Sequence, residues 1–456
     1  MHKIYKKNLL LNLIFFSFVI IFFSIPLLKY LSVNANVADF GFFQNEIFLI
    51  SDGFYWRAFH DHINFISIAF SFIYKIFGQN FFIFILILQS FCLLSPLLFY
   101  KKNKKFLFLY LFFPPIWYIN LNDFHYETLA YPIILLNLYL INKNSRYSFF
   151  VLLILPLIKE TYAVLSVFIL IYDYLINRNR LFLVKFSFVI TICLIYFFVI
   201  LPGFHQGKEL NDTVNFIIKN SNFSYIILLK VSTLFFIYIY FNFDLKKDKL
   251  IFINHIPYLL IAIFLTNNHG YSSFSNHYFL IILPFVVYAY ANNKNVIKFN
   301  FLSFDVLSFL RVISIIIFLP LPFSLIYYTD LNNYKIHDYV DDLNKTKYFK
   351  NFIKKYDYGN VLLNKNVVIQ NNLYHPYFHK SKSLKLFNQN NLYKNAEYTS
   401  FRNVHLVDIK PDLILISESK KCFNLDKSCK NVNLLNDQDY ELIYKDSIFN
   451  LYELKN

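Results

Sequence analysis

Apolar runs of 15 to 20 residues recur along most of this chain, and that repetition constrains its fold more than any other feature. A stretch of about 20 apolar residues crosses about 30 Å of hydrocarbon as a helix. Only a helix or a closed barrel satisfies its own backbone there. A soluble core has no need of so many such runs. Hydrophobic residues make up 57% of the chain and the mean hydropathy is +0.42, which fits the same reading. Its 456 residues leave room for ten or so spans and one small soluble domain.

The spans expected from the pattern are roughly 9–31, 81–100, 106–121, 129–142, 149–158, 161–176, 181–201, 225–243, 251–266, 278–291 and 305–327. The first is too long for the apolar part of a signal peptide, and no small-residue cleavage pattern follows it. We read it as an anchor. The fold class expected is an all-α polytopic membrane bundle of about eleven helices over 1–327, followed by a small α/β domain over 328–456.

The net charge of +16 would suit a nucleic-acid partner, but the cations are dispersed between apolar spans. Orientation in a bilayer explains them better, and no nucleic acid is expected. Lys101, Lys102, Lys104, Lys105, Lys143, Arg146, Arg178, Arg180, Lys246, Lys247 and Lys249 fall in alternate connections, whereas 120–128 and 267–277 hold no Lys or Arg. The positive-inside rule then puts the N-terminus and the basic loops in the cytoplasm, and the tail outside the plasma membrane. This alternation requires 149–176 to be two short helices broken at Lys159-Glu160, not one long helix. With eleven spans, all seven glycines and both tryptophans fall at or beyond the outer boundary, as do all histidines but His2 and His255. Function is therefore expected on the outer face.

Two outer segments stand apart. Loop 32–80 carries a polar stretch from Asp39 to His62, then an apolar piece, Ile63–Phe77, expected as an interfacial helix. In the tail, Val361–Gln370 and Asp412–Ser417 read as strands, and Glu441–Tyr444 with Ile448–Glu453 as a terminal hairpin. Cys92 and Cys193 fall within spans, where cysteine behaves as a small hydrophobe. Cys422 and Cys429, with six residues between them, suit a bridge in an oxidising compartment, or two free thiols in a loop.

Five outward clusters hold residues that could carry chemistry. They are Asp39 with Phe40-Gly41; His60-Asp61-His62 with Arg57; Asp123-Phe124-His125-Tyr126-Glu127; Lys159-Glu160; and His277-Tyr278. Each also has a plain structural use. Asp39 suits an exposed loop or a helix cap, the His-Asp-His run a solvated turn, Asp123 and Glu127 the N-terminus of the fourth helix, and Lys159-Glu160 an ion pair at a helix break. Ionisable groups amid apolar spans are nonetheless costly to retain. Together they suit group transfer from a membrane-embedded phosphate carrier, with a carboxylate as base and cations on the departing phosphate. The same donors suit a divalent metal such as Mg²⁺ or Mn²⁺, although their spacing closes no metal motif. No phosphate-binding glycine loop, serine nucleophile elbow or zinc signature is present, which weakens ATP-driven transport and hydrolase readings.

In these residues the chain resembles the bacterial membrane proteins grouped as domain of unknown function 2079, themselves placed with the GT-C glycosyltransferases. The resemblance runs over most of the chain. It rests on Asp39-Phe40-Gly41 with Gln44, His62, Phe112–Pro115 before Asn120, Asp123-Phe124-His125 with Glu127, Lys159-Glu160, His277-Tyr278 with Pro284, Val367–Gln370 and Lys410–Ser417. It implies a multi-span bundle, an acidic residue in the first outer loop, a polyprenyl-phosphate sugar donor and an extracytoplasmic domain after the last span. Asp39 is the position matching the loop acid. The GT-C first loop often bears an acidic pair, whereas here Asp39 is followed by Phe40, so a second acid would come from Asp61, Asp123 or Glu127.

The expected function is transfer of a sugar from a lipid-linked donor to an extracytoplasmic glycan, lipid or protein of the cell envelope. Asp39, Asp61 and Glu127 are the catalytic candidates. Arg57, His60, His62, His125, Lys159, Glu160 and His277 are the substrate-binding candidates. Alternatives are a transporter or flippase for lipid-linked sugars or small solutes, for which paired internal repeats would be expected and none is evident, and a receptor or assembly protein working through its tail.

Overall fold

In the computed structural model, helices predominate, and among the described residues four are long and apolar enough to cross a membrane: Asn12–Leu31, Asn80–Phe99, Glu160–Asn177 and Phe182–Ile200. The structure describes residues 2–32, 34–35, 40–53, 55, 64–100, 104–178, 180–200, 235–241, 248–259, 280–292, 304–322, 324–325, 336–355, 365–369, 383–386, 412–416, 440–445 and 449–455. The expected spans 225–243, 251–266, 278–291 and 305–327 lie partly outside these, and Cys422 and Cys429 wholly so.

The described helices are α1 (His2–Leu31), α2 (Phe42–Ser51), α3 (Ile66–Phe77), α4 (Asn80–Phe99), α5 (Lys104–Leu111), α6 (Pro114–Leu121), α7 (Glu127–Asn142), α8 (Tyr147–Leu152), α9 (Leu155–Ile158), α10 (Glu160–Asn177), α11 (Phe182–Ile195), α12 (Lys249–Phe252), α13 (Leu283–Asn292), α14 (Phe304–Phe318) and α15 (Ile336–Lys355). Close contacts divide the chain into two compact units. One is Met1–Phe23, His62–Ile66 and Leu88–Tyr334; the other is Ser24–Asp61, Ser67–Ile87 and Lys335–Asn456.

In the first unit, aromatic rings make much of the packing. Phe22 and Trp117 meet edge to face at 4.9 Å, and Phe18 and Phe112 at 4.6 Å, so the middle of α1 packs against α6 and the break before it. The sequence suggests one continuous span at 106–121, but the helix breaks at Phe113, whose backbone is extended (φ −74, ψ 109). The two prolines that follow are the reason. A residue before proline is driven out of the α region, and proline itself has no N–H to continue the ladder. The Trp117 indole donates to the Leu111 carbonyl at 2.7 Å, so a backbone group at the break keeps a buried partner.

A second break falls at Lys159, which is extended (φ −167, ψ 155) between α9 and α10. Residues 149–176 are therefore not one helix. α11 continues into a π-helical turn, Tyr196–Ile200, and only 12% of the span Phe182–Ile200 is buried. Leu183, Val184, Phe198 and Val199 are all more than 60% exposed, the pattern of a helix meant to face hydrocarbon.

The second unit holds a five-stranded sheet of order β2-β1-β3-β5-β4. Its strands are β1 (Asn366–Ile369), β2 (Ser383–Leu386), β3 (Leu413–Ile416), β4 (Tyr440–Lys445) and β5 (Asn450–Leu454). β1 pairs parallel with β2 and β3, and β5 pairs antiparallel with β3 and β4. The terminal hairpin lies where the turn chemistry places it, with a register shift between Leu442 and Tyr444. α15 covers the sheet through Phe349, stacked on Phe449 at 4.3 Å, and Phe352, 4.5 Å from Tyr444.

Also in this unit, Phe42–Ser51 is a helix buried along its whole length, where a polar loop was expected. Six of its ten residues are large and apolar, and the polar ones find inside partners: the Ser67 hydroxyl donates to Glu46 Oε1 at 2.6 Å, and Gln44 Nε2 lies 3.4 Å from the Tyr30 hydroxyl. α3 buries Ser67, Phe70 and Ser71 while exposing Phe72, Ile76 and Phe77. Gly78, at φ +56, turns the chain from α3 into α4, a left-handed conformation that favours glycine.

Candidate functional site

Several residues that the sequence singles out converge within the first unit, where α4, the turn after α6, the start of α7 and the break before α10 meet. Gln89 organises the turn. It is fully buried and sits with Ser90 in an otherwise apolar stretch of α4. Its Nε2 donates to the Asp123 carbonyl at 2.7 Å and the Asn120 carbonyl at 3.2 Å, and its Oε1 accepts from the His125 backbone N–H at 3.1 Å. One side chain thus satisfies three backbone groups of a turn that has no ladder of its own. Asp123 can then adopt φ +62, a conformation that a non-glycine residue takes only when its surroundings impose it.

Asn120 fixes the other side of the turn. Its Nδ2 donates to the Phe22 carbonyl at 2.7 Å, and its Oδ1 accepts from Ser90 Oγ at 2.9 Å. The His125 ring is held by Nε2 donating to the Asn122 carbonyl at 2.9 Å, and the Thr128 hydroxyl donates to the His125 carbonyl at 2.7 Å. Asp123 and His125 are consequently on rigid backbone, buried to within 3% and 9% exposure.

Glu127 begins α7 and Lys159 precedes α10. Their side chains form an ion pair at 2.5 Å, with 2% of the Glu127 side chain and 7% of the Lys159 side chain exposed. The extended backbone at Lys159 brings its long side chain to the N-terminal turn of α7. There the carboxylate also complements the partial positive charge of the helix end. Each charge neutralises the other, so a phosphate approaching Lys159 or a proton approaching Glu127 would compete with the existing partner. Glu160 follows at the first position of α10, half-buried.

The other candidates cannot be placed beside these. Asp39, Arg57, His60, Asp61, His62 and His277 lie outside the described residues. Among the described residues, no three His, Cys, Asp or Glu side chains gather as metal ligands. The donors that the sequence offers most densely, Asp39 and the run His60–His62, are not among those residues.

Gln89, Ser90 and Asn120 had no place among the expected site residues beyond the position of Asn120 in the resemblance. The signal for Gln89 was present: a lone amide within a 20-residue apolar helix has to find polar partners or pay a large desolvation cost. An apolar groove of about 440 Å³ runs between α4 and α7, lined by Phe91, Ser95, Leu98, Phe99, Pro132, Ile133 and Leu136. Its lining residues are exposed at Phe91 and Leu98, whereas Gln89 on the same helix is buried.

Comparison of the chain with family models, with curated proteins and with solved structures returns no match.

Proposed function

We propose that the chain is a membrane glycosyltransferase of GT-C type, resembling the domain of unknown function 2079 proteins, that moves a sugar from a polyprenyl-phosphate donor to an acceptor outside the cytoplasmic membrane. In this reading about eleven spans carry the active site at the outer face, the N-terminus is cytoplasmic and the tail from 328 is an extracytoplasmic α/β domain. Asp39 acts as base, or holds a divalent cation, and the other outer-loop acids and histidines line the donor and acceptor.

The observation that carries the proposal is the convergence of the turn Asn120–Glu127 with Lys159; the same two helices, α4 and α7, also form an apolar groove. A lipid-linked sugar needs polar groups for its phosphate and sugar and a hydrocarbon surface for its chain. The cluster supplies the first and the groove supplies the second. Charge held by fixed dipoles in a dry site stabilises a departing phosphate without reorganisation.

The test compares envelope glycans and lipid extracts of a deletion strain with those of strains restored by the wild type or Asp39→Asn. The proposal expects a polyprenyl-phosphate sugar to accumulate, and its product to vanish, in both the deletion and the Asp39→Asn strains. Unchanged glycans and carrier lipids would refute it. The helix break at Lys159 with its buried ion pair favours one second reading, a carrier for lipid-linked sugars or solutes, because discontinuous helices form such sites. Uptake or flipping by reconstituted protein, with no transfer, would select that reading.

A further inference from the structure

A separate cavity lined by polar and apolar groups lies in the first unit, sharing no residue with the cluster just described. It has a volume of about 250 Å³ and is lined by Asn144, Ser145, Arg146, Ser148 and Phe149 from the connection into α8, Asp173 of α10, and Leu181 and Lys185 at the start of α11. We propose that this cavity binds the phosphodiester headgroup of an anionic membrane lipid. The inference needs only a membrane setting and is independent of the transferase reading.

Two cations define the cavity. The Arg146 guanidinium lies over the Tyr147 ring at 5.4 Å, and Lys185 Nζ over the Phe149 ring at 5.5 Å. Aromatic faces hold both charges in place without neutralising them. Among the described residues neither cation forms an ion pair, although Asp173 lines the same cavity. Asp173 is directed elsewhere: its Oδ1 accepts from Asn177 Nδ2 at 2.7 Å, and that amide also donates to the Ile141 carbonyl at 2.9 Å. The cavity therefore keeps a net charge of one positive unit, from two cations and one carboxylate. The first turn of α11 carries no capping side chain, so its N–H groups add to the positive field.

Position selects a lipid as the source of the phosphate. The apolar spans Glu160–Asn177 and Phe182–Ile200 end and begin within a few residues of Asp173 and Lys185, which is the level where headgroups sit. Phe150 and Leu181 are exposed at the rim, and Leu183 and Val184 continue that apolar surface along α11, at the place where acyl chains would lie. Basic pockets at span ends are a common form of lipid recognition.

The test uses the purified full chain in dodecyl maltoside, titrated with phosphatidylglycerol and separately with phosphatidylcholine, with fluorescence of a labelled lipid as readout. Phosphatidylglycerol is expected to bind more tightly. Arg146→Gln and Lys185→Gln should each weaken it by about fivefold, and the pair by about 25-fold, for cations of typical surface worth. Asp173→Asn should tighten binding, and Lys143→Gln, a neighbouring cation outside the cavity, should change it by less than about twofold if the cavity and not diffuse charge is the site. Equal binding of the two lipids would overturn the proposal. So would an unchanged double variant, weaker binding by Asp173→Asn, or a Lys143→Gln loss matching that of Arg146→Gln. Displacement of phosphatidylglycerol by equimolar inorganic phosphate would show a free-phosphate site and overturn the lipid assignment. Arg146 is exposed, so its single variant remains a valid reading should the double variant fail to fold.

Discussion

Replacing Lys159 with Met keeps a similar aliphatic stem and removes the ammonium that faces Glu127 at 2.5 Å. The carboxylate is left at 2% exposure among the helices of the first unit, without its Lys159 partner. Stranding one member of a buried pair typically costs about 3–5 kcal/mol, whereas replacing both with neutral groups of similar volume is often neutral or stabilising. Lys159→Met and Glu127→Gln should each fall in that range, and the double variant should lie within about 1 kcal/mol of the wild type or above it. The coupling between the two positions is then about 5 kcal/mol or more, far above the roughly 0.5 kcal/mol scatter of independent sites. Unfolding of the purified chain by SDS in mixed micelles, followed by circular dichroism, gives all four free energies. Additive single costs, with coupling under about 0.5 kcal/mol, would show that water reaches the pair and would refute the burial argument.

Asp39→Asn should leave membrane levels normal and reduce product formation by about 10²-fold or more if the carboxylate is a base; wild-type product would remove that role. Gln89→Leu strands three backbone groups of the turn and should cost about 3 kcal/mol, with faster hydrogen exchange concentrated at 120–127. Exchange that stays slow there would mean other contacts hold the turn. Phe349→Ala removes the ring stacked on Phe449 and should cost the second unit about 3–5 kcal/mol by thermal unfolding. Reporters fused after Arg180 and after Tyr334 should read cytoplasm and exterior; a reversed pair would overturn the orientation.

The break at Lys159 was legible because charge alternation and the Lys-Glu pair both pointed to it. The terminal hairpin was legible from its alternation and turn residues. The break at Phe113 was not anticipated, although the paired prolines at 114 and 115 carried its cause, since apolar composition alone runs straight through them. α2 was obscured by its central Gln44-Asn45-Glu46, which reads as a surface segment until partners such as Ser67 and Tyr30 are known. β2, Ser-Leu-Lys-Leu, holds only two apolar residues where β1 holds three and β3 four, so no strand pattern registers. In the site, individual charged residues could be nominated from their scarcity among apolar neighbours. Their pairing could not, because Glu127 and Lys159 are separated by 32 positions that the pattern does not relate.

Within the second unit, α15 is fastened to the end of α1. Asp342 Oδ2 accepts from Asn34 Nδ2 at 3.1 Å, and Lys350 Nζ donates to the carbonyl of Leu31, the last residue of α1. That carbonyl is one of the four that a helix leaves without an internal acceptor role, and a cation there also suits the negative end of the helix. Cutting the chain before residue 335 would therefore not subtract a freestanding module. It would uncap α1 and remove part of a unit that also contains residues 24–61 and 67–87. A phenotype from such a truncation would report on residues 24–61 and 67–87 as much as on the tail, and point substitutions at Asp342 and Lys350 separate the two.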